Sequence, residues 1–96
     1  MMTPDQISDL DTRRRRVRYR AWHRGMLEMD MILGPFADAE LRGFDNDKLN
    51  RFEQLMDETD ADLLSWIMGR AQPGPEIDAE LIAELTRFQL QRSAKK

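Results

Sequence analysis

Apolar residues recur every three or four positions in four stretches of the chain, the period of a helix face. Residues 78–92 show it best. Leu81, Leu85 and Phe88 follow at helical spacing with Ile82 beside them, Asp78 stands at the N-cap position and Glu80 lies in the first turn. Residues 47–58 place Leu49, Phe52, Leu55 and Met56 on one side, with acids at the N-terminal end. Residues 61–68 form a short apolar helix, Leu63, Leu64, Ile67 and Met68, with Asp60 as cap and Gly69 as stop. Residues 26–40 carry Met29, Ile32, Leu33 and Phe36 on one stripe, and Pro35, lacking an N–H, predicts a kink or a break there.

The N-terminal stretch is less regular. Thr3-Pro4-Asp5-Gln6 has the form of a capping box with proline first in the helix, and Asp11-Thr12 offers a second start. Between 11 and 25 only Val17, Tyr19, Ala21 and Trp22 are apolar, and they spread over about half the helix circumference. No stretch alternates with the period of two expected of a half-buried strand. The expected fold is all-α: one small bundle of about five short helices. Residues 1–10 are assigned to a flexible segment, 11–92 to the helical domain and 93–96 to a basic tail. Trp66 and the methionines 26, 29, 31, 56 and 68 are expected to fill the core.

At 96 residues the chain has room for a single domain. Having no cysteine, it can build no disulfide framework, thiolate metal site or thiol nucleophile, and one histidine precludes a histidine-rich site. No apolar run approaches the roughly 18–20 residues of a membrane span. Arg13–Arg16 leads into Val17-Arg18-Tyr19-Arg20 rather than an apolar segment, and Asp5, Asp9 and Asp11 argue against a mitochondrial presequence. A cytoplasmic protein is expected. Charge is unevenly spread. Residues 1–25 hold seven arginines against three aspartates, a balance of +4, whereas residues 26–92 hold six basic against fifteen acidic residues, a balance of −9. That asymmetry predicts a basic end and an acidic body.

Several features invite a chemical reading. The arginines from 13 to 20, with Tyr19 and Trp22, have the cations and aromatics of a phosphate-gripping face; they equally suit an acidic protein partner or plain solvation. A small helical nucleic-acid- or toxin-binding regulator is the corresponding alternative function. A helix-turn-helix is disfavoured, because the candidate recognition helices open with Asp45-Asn46-Asp47 or Asp60-Ala61-Asp62, which repel a duplex. Neither Asp45-Asn46-Asp47 nor the acidic cluster Asp57-Glu58-Thr59-Asp60-Ala61-Asp62 has the spacing of a calcium loop, and both read as helix caps. His23 has no nucleophile and orienting carboxylate beside it in the sequence, so no catalytic residue and no metal site is assigned. The stretch Trp22-His23-Arg24-Gly25-Met26-Leu27-Glu28-Met29-Asp30 is the most informative. A glycine sits where one helix ends and the next begins, with Arg24 and Glu28 four positions apart around it. One reading is an exposed ion pair of little energy. The other is a docking patch, in which Arg24 presents its planar fork, Glu28 accepts from a partner and Gly25 clears space between them.

Arg24-Gly25-Met26-Leu27-Glu28 matches the RGxxE motif of the SdhE family, the flavinylation factors of succinate dehydrogenase. Glu28-Met29-Asp30 is similar to the family's ELD segment, and Ile32-Leu33-Gly34-Pro35-Phe36 to its apolar stretch ending in proline and phenylalanine. Phe52–Met56 and Asp60–Trp66 resemble its later aromatic, acidic and leucine run. The likeness spans about residues 12–90; Met29 stands where leucine is common, and the Arg13–Arg16 run is heavier than in a typical member. The resemblance implies a five-helix assembly factor, not an enzyme. It would bind the flavoprotein subunit of succinate dehydrogenase, and in some bacteria that of fumarate reductase, and promote covalent attachment of FAD to it. No cofactor is expected to be held tightly by the factor itself. The RGxxE role falls on Arg24, Gly25 and Glu28, and Trp22, His23 and Asp30 complete the candidate partner-binding set.

Overall fold

The computed structural model describes residues 4–94. Helix α1 runs Pro4–Trp22, α2 Leu27–Glu40, α3 Asn46–Met56, α4 Asp60–Ile67 and α5 Ala79–Ala94, with a 3₁₀ turn at Leu41–Gly43. The expected all-α class is what forms, with five α-helices and no strand among the described residues. The chain is helical from Pro4, so residues 4–10 form the first turns of α1, and Leu10 is buried. At the other end Ser93 and Ala94 close α5, and Lys95 and Lys96 lie outside the described residues.

Helix α1 packs on α2 and α3, and α5 on α2 and α4. Its contact stripe explains its weak apolar pattern. Leu10, Arg14, Val17 and Ala21 fall on one line at spacings of four and three, so an arginine occupies one seam position. Val17 and Ala21 are fully buried. Phe36 of α2 anchors the centre of the core, with ring centroids 5.6 Å from Phe52, 5.5 Å from Phe88 and 6.1 Å from Phe44. Each such ring pair contributes about 0.5–1.5 kcal/mol beyond the area it buries.

Pro35 does not break α2, which is continuous through it. The carbonyl that loses its donor is that of Met31, four residues back. Arg92 of α5 donates to that oxygen at 2.8 Å and lies over the Phe88 ring. Side-chain caps fix the N-termini of α3, α4 and α5. Asp45 accepts from the Lys48 N–H, and Asp78 from that of Leu81 at 3.1 Å. For α4 the cap is Thr59, whose hydroxyl accepts from the Asp62 N–H, and not Asp60, which is the first helical residue.

Asp78 also holds Arg51 through two hydrogen bonds, at 2.6 and 3.0 Å. The Arg51 hydrogen bond, outweighing partial burial, keeps the Asp78 carboxyl below its ordinary value, with help from the Leu81 N–H. A depressed carboxyl stabilises the fold above the ordinary carboxylate pKa of about 3.9, and that stabilisation disappears as pH falls through the lowered value. Urea titrations from pH 6 to pH 2.5 are expected to show Asp78→Asn losing less stability in acid than the unaltered protein. Parallel losses would assign the acid sensitivity to other carboxylates.

Candidate functional site

The turn between α1 and α2 is built by its own backbone. Gly25 takes φ +88°, a conformation that side chains rarely adopt, and a Cβ there would meet nothing within 4 Å. The Asp30 carboxylate folds back to accept from the Arg24 N–H at 2.7 Å, and the Asp30 N–H donates to the Met26 carbonyl. Residue 25 is thus presented on an exposed and well-tied turn, open to an approaching surface.

On one side of the turn, Trp22 lies flat against Gly34. A Cβ at Gly34 would fall 2.3 Å from the indole ring. The indole Nε1–H donates to Asp38 at 3.2 Å. Trp22, a candidate for partner binding, is thereby half-buried as the clamp between α1 and α2. His23 is exposed and stacks on Tyr19, with centroids 4.0 Å apart. Its Nδ1 lies 2.7 Å from the Tyr19 carbonyl, which only accepts, so Nδ1–H is the donor.

Arg24 departs from expectation. It is not an exposed fork aimed at a visitor and does not pair with Glu28. Its side chain is only 12% exposed and turns inward. Nε–H donates to Asp60 at 2.8 Å, one terminal nitrogen to the Glu58 carbonyl at 2.8 Å, and the other to the Met56 carbonyl. Those acceptors are the last residue of α3, the linker after it and the first residue of α4. The guanidinium therefore pins the α3–α4 corner to the turn that carries Gly25. Arg24 positions the site rather than offering itself to a partner.

Glu28 remains free. It is exposed and makes no hydrogen bond or ion pair among the described residues. Around it the surface is unexpectedly apolar. Leu27 is 76% exposed, Met31 46% and Met68 50%. Of the methionines expected in the core, Met29 and Met56 are there, whereas Met26, Met31 and Met68 are outside. A groove of about 260 Å³ runs between α2, α4 and α5, lined by Glu28, Met31, Leu64, Met68 and Arg70 among others. Sequence reasoning missed this groove. Met31 and Met68 fall beside apolar stripes, and only the way the helices cross leaves them uncovered. Flexible, polarizable methionines around one carboxylate give this face an adaptable apolar surface.

The arginine run does not form one continuous basic face. A turn of about 100° per residue sends successive side chains to different neighbours. Arg13 reaches Glu53 at 2.6 Å, Arg14 the Phe44 carbonyl, Arg15 Asp11, Arg18 Asp38 and Arg20 Asp57. The expected basic end and acidic body therefore interleave: Arg13 and Arg18 tie α1 to acids of α3 and α2, and Arg20 to the acid that follows α3, while Arg15 pairs within α1. A nucleic-acid reading of this run loses most of its free cations. Among the described residues, no group of three or more histidine, aspartate or glutamate side chains converges in a metal-binding arrangement.

Fold and site together define a small helical module with an exposed, well-tied glycine turn between its first two helices. Comparison with known proteins makes this more specific. A family described as "Flavinator of succinate dehydrogenase" matches residues 15–89. A "Succinate dehydrogenase assembly factor 2, mitochondrial" from Dictyostelium discoideum is 30% identical over 78 residues, 81% of this chain and 55% of that protein. The "FAD assembly factor SdhE" of Acetobacter pasteurianus is 37% identical over 68 residues, covering 71% of this chain and 62% of that protein. The protein of the same description from Pseudomonas aeruginosa is 41% identical over 54 residues, 54% of this chain and 64% of that protein. The chain thus spans a little over half the length of these relatives. It belongs to the family of succinate dehydrogenase flavinators, a family of assembly factors rather than enzymes.

Proposed function

We propose that this protein binds the flavoprotein subunit of succinate dehydrogenase and promotes covalent attachment of FAD to it. The observation that carries this reading is the tied, exposed Gly25 turn with the unpaired Glu28 and the apolar groove beside it. It is a surface prepared for another protein, held rigid by Arg24, Asp30 and Trp22. Reactivity in such an attachment resides in the flavin and the client, and the factor contributes positioning. Glu28 accepts a donor from the client, the groove takes an apolar side chain, and the absence of a Cβ at residue 25 lets the two backbones approach. FAD belongs to the client, with none held tightly by the factor. Action in the cytoplasm is part of the same reading.

The test combines apo flavoprotein subunit, FAD and this protein, followed by in-gel flavin fluorescence after denaturing electrophoresis. Glu28→Ala is expected to reduce incorporation severalfold while shifting Tm by no more than roughly 2–4 °C, since exposed positions change stability by about 0.5 kcal/mol or less. Gly25→Asn, which tolerates positive φ, is expected to fold and to bind poorly. Fluorescence equal to that of the unaltered protein with both variants would reject the docking role. The same assay with the fumarate reductase flavoprotein subunit asks whether that second client is served.

A further inference from the structure

The stitching leaves part of the hydrogen-bonding capacity of the arginine run unspent. Arg14, Arg15 and Arg18 of α1 line a cleft together with Arg42 of the 3₁₀ turn, facing α2. The cleft measures about 360 Å³, room for roughly ten waters. Two carboxylates, Asp11 and Asp38, share it. Each occupies only one nitrogen of its arginine: Asp11 binds Arg15 at 2.9 Å, and Asp38 binds Arg18 at 2.8 Å. Four guanidinium groups against two carboxylates leave the cleft a charge of +2. Two donors are unspent. Arg42 is exposed and pairs with nothing among the described residues. Arg14 donates one terminal nitrogen to the Phe44 carbonyl at 2.8 Å, and its other terminal nitrogen has no acceptor among the described residues.

We propose that this cleft binds a phosphate-class oxyanion of about pyrophosphate size, between Arg14 and Arg42, with Arg15 and Arg18 at its sides. The donors come from two chain segments and approach from different directions. A planar carboxylate is satisfied by one guanidinium fork, whereas a tetrahedral oxyanion presents oxygens to several. A second hollow of about 240 Å³, lined by Arg15, Arg18, Tyr19, Trp22 and His23, shares two arginines with the cleft. An aromatic ring attached to the phosphate would find stacking partners there. The site is separate from Glu28 and its groove, and does not rest on the docking assignment.

The experiment titrates the full chain, ¹⁵N-labelled, with pyrophosphate at a constant ionic strength of about 0.15 M, and follows the arginine Nε–Hε signals. Saturable shifts at Arg14 and Arg42 are expected. Arg42→Gln removes an exposed, unpaired side chain, so folding is retained, and affinity is expected to fall about tenfold. Arg87→Gln removes the same charge from an exposed position on α5 outside the cleft and is expected to leave affinity unchanged. ADP and FAD form the next arms. Tighter binding than pyrophosphate identifies a nucleotide as the carrier, and equal binding identifies the free anion. Shifts that do not saturate would overturn the proposal. So would equal losses in the Arg42 and Arg87 variants, which mean diffuse charge, or malonate binding as tightly as pyrophosphate, which means a carboxylate site.

Discussion

Arg24→Ala is expected to destabilise the domain by about 3 kcal/mol. The side chain satisfies the Asp60 carboxylate and two backbone carbonyls at the α3–α4 corner. Removing it leaves a half-buried carboxylate and those oxygens without donors, and hydrogen bonds to charged groups are worth about 1.5–3 kcal/mol each. In a domain of this size the loss lowers Tm by roughly 12–24 °C. Arg24→Lys is expected to recover less than half, because one ammonium cannot span acceptors on three residues as a planar fork does. Thermal unfolding followed by circular dichroism measures both. Changes below about 0.5 kcal/mol would mean that Arg24 is a surface group after all. The contrast with Glu28→Ala is the informative part. Both residues belong to the RGxxE motif, yet one substitution removes the scaffold of the turn and the other only its contact with a client. Flavinylation lost by Arg24→Ala therefore reports a collapsed turn, whereas the loss expected from Glu28→Ala reports docking itself.

Gly34→Ala is expected to destabilise by roughly 1–3 kcal/mol, opposite in sign to the helix-propensity expectation. In an open helix this change gains up to about 1 kcal/mol. Here the new methyl group lands 2.3–2.6 Å from three atoms of the Trp22 ring, so the indole must leave or the helices must part. Trp22 sits directly before the docking turn, and its displacement is expected to lower client binding as well. In a Trp22→Ala background the same Gly34→Ala change is expected to be neutral or stabilising, a strong non-additivity that a double-mutant cycle would read. Additive losses would show that the clash is relieved elsewhere.

The outcome at the candidate site follows what is local and what is not. The five helices were legible because apolar spacing, caps and stops are written over ten or fifteen neighbouring residues. Asp78 and Gly69 mark ends that the fold uses. The exposed glycine turn was legible too, as a glycine between two helical patterns. The fate of Arg24 was not. Its acceptors lie up to 36 residues away, and nothing near position 24 announces them. The exposure of Met31 and Met68 was hidden for a similar reason. A methionine beside an apolar stripe is core or surface depending on whether another helix crosses over it. Pro35 signals locally only a kink or a break in α2, whereas the helix runs on and Arg92 of α5 supplies a donor to the Met31 carbonyl from 61 residues away.

By itself, the order of residues determined the all-α class, the number of helices and the place of the Gly25 turn, since helical periodicity and capping act through near neighbours. The tertiary structure alone decided which charges are free. An arginine reaches several ångströms from its backbone, and its partner is whichever acid or carbonyl the folded chain brings within that reach. Seven arginines near the N-terminus thus look like a basic arm in the linear chain, yet in the fold Arg24 becomes a brace and Arg13, Arg18 and Arg20 become stitches between helices.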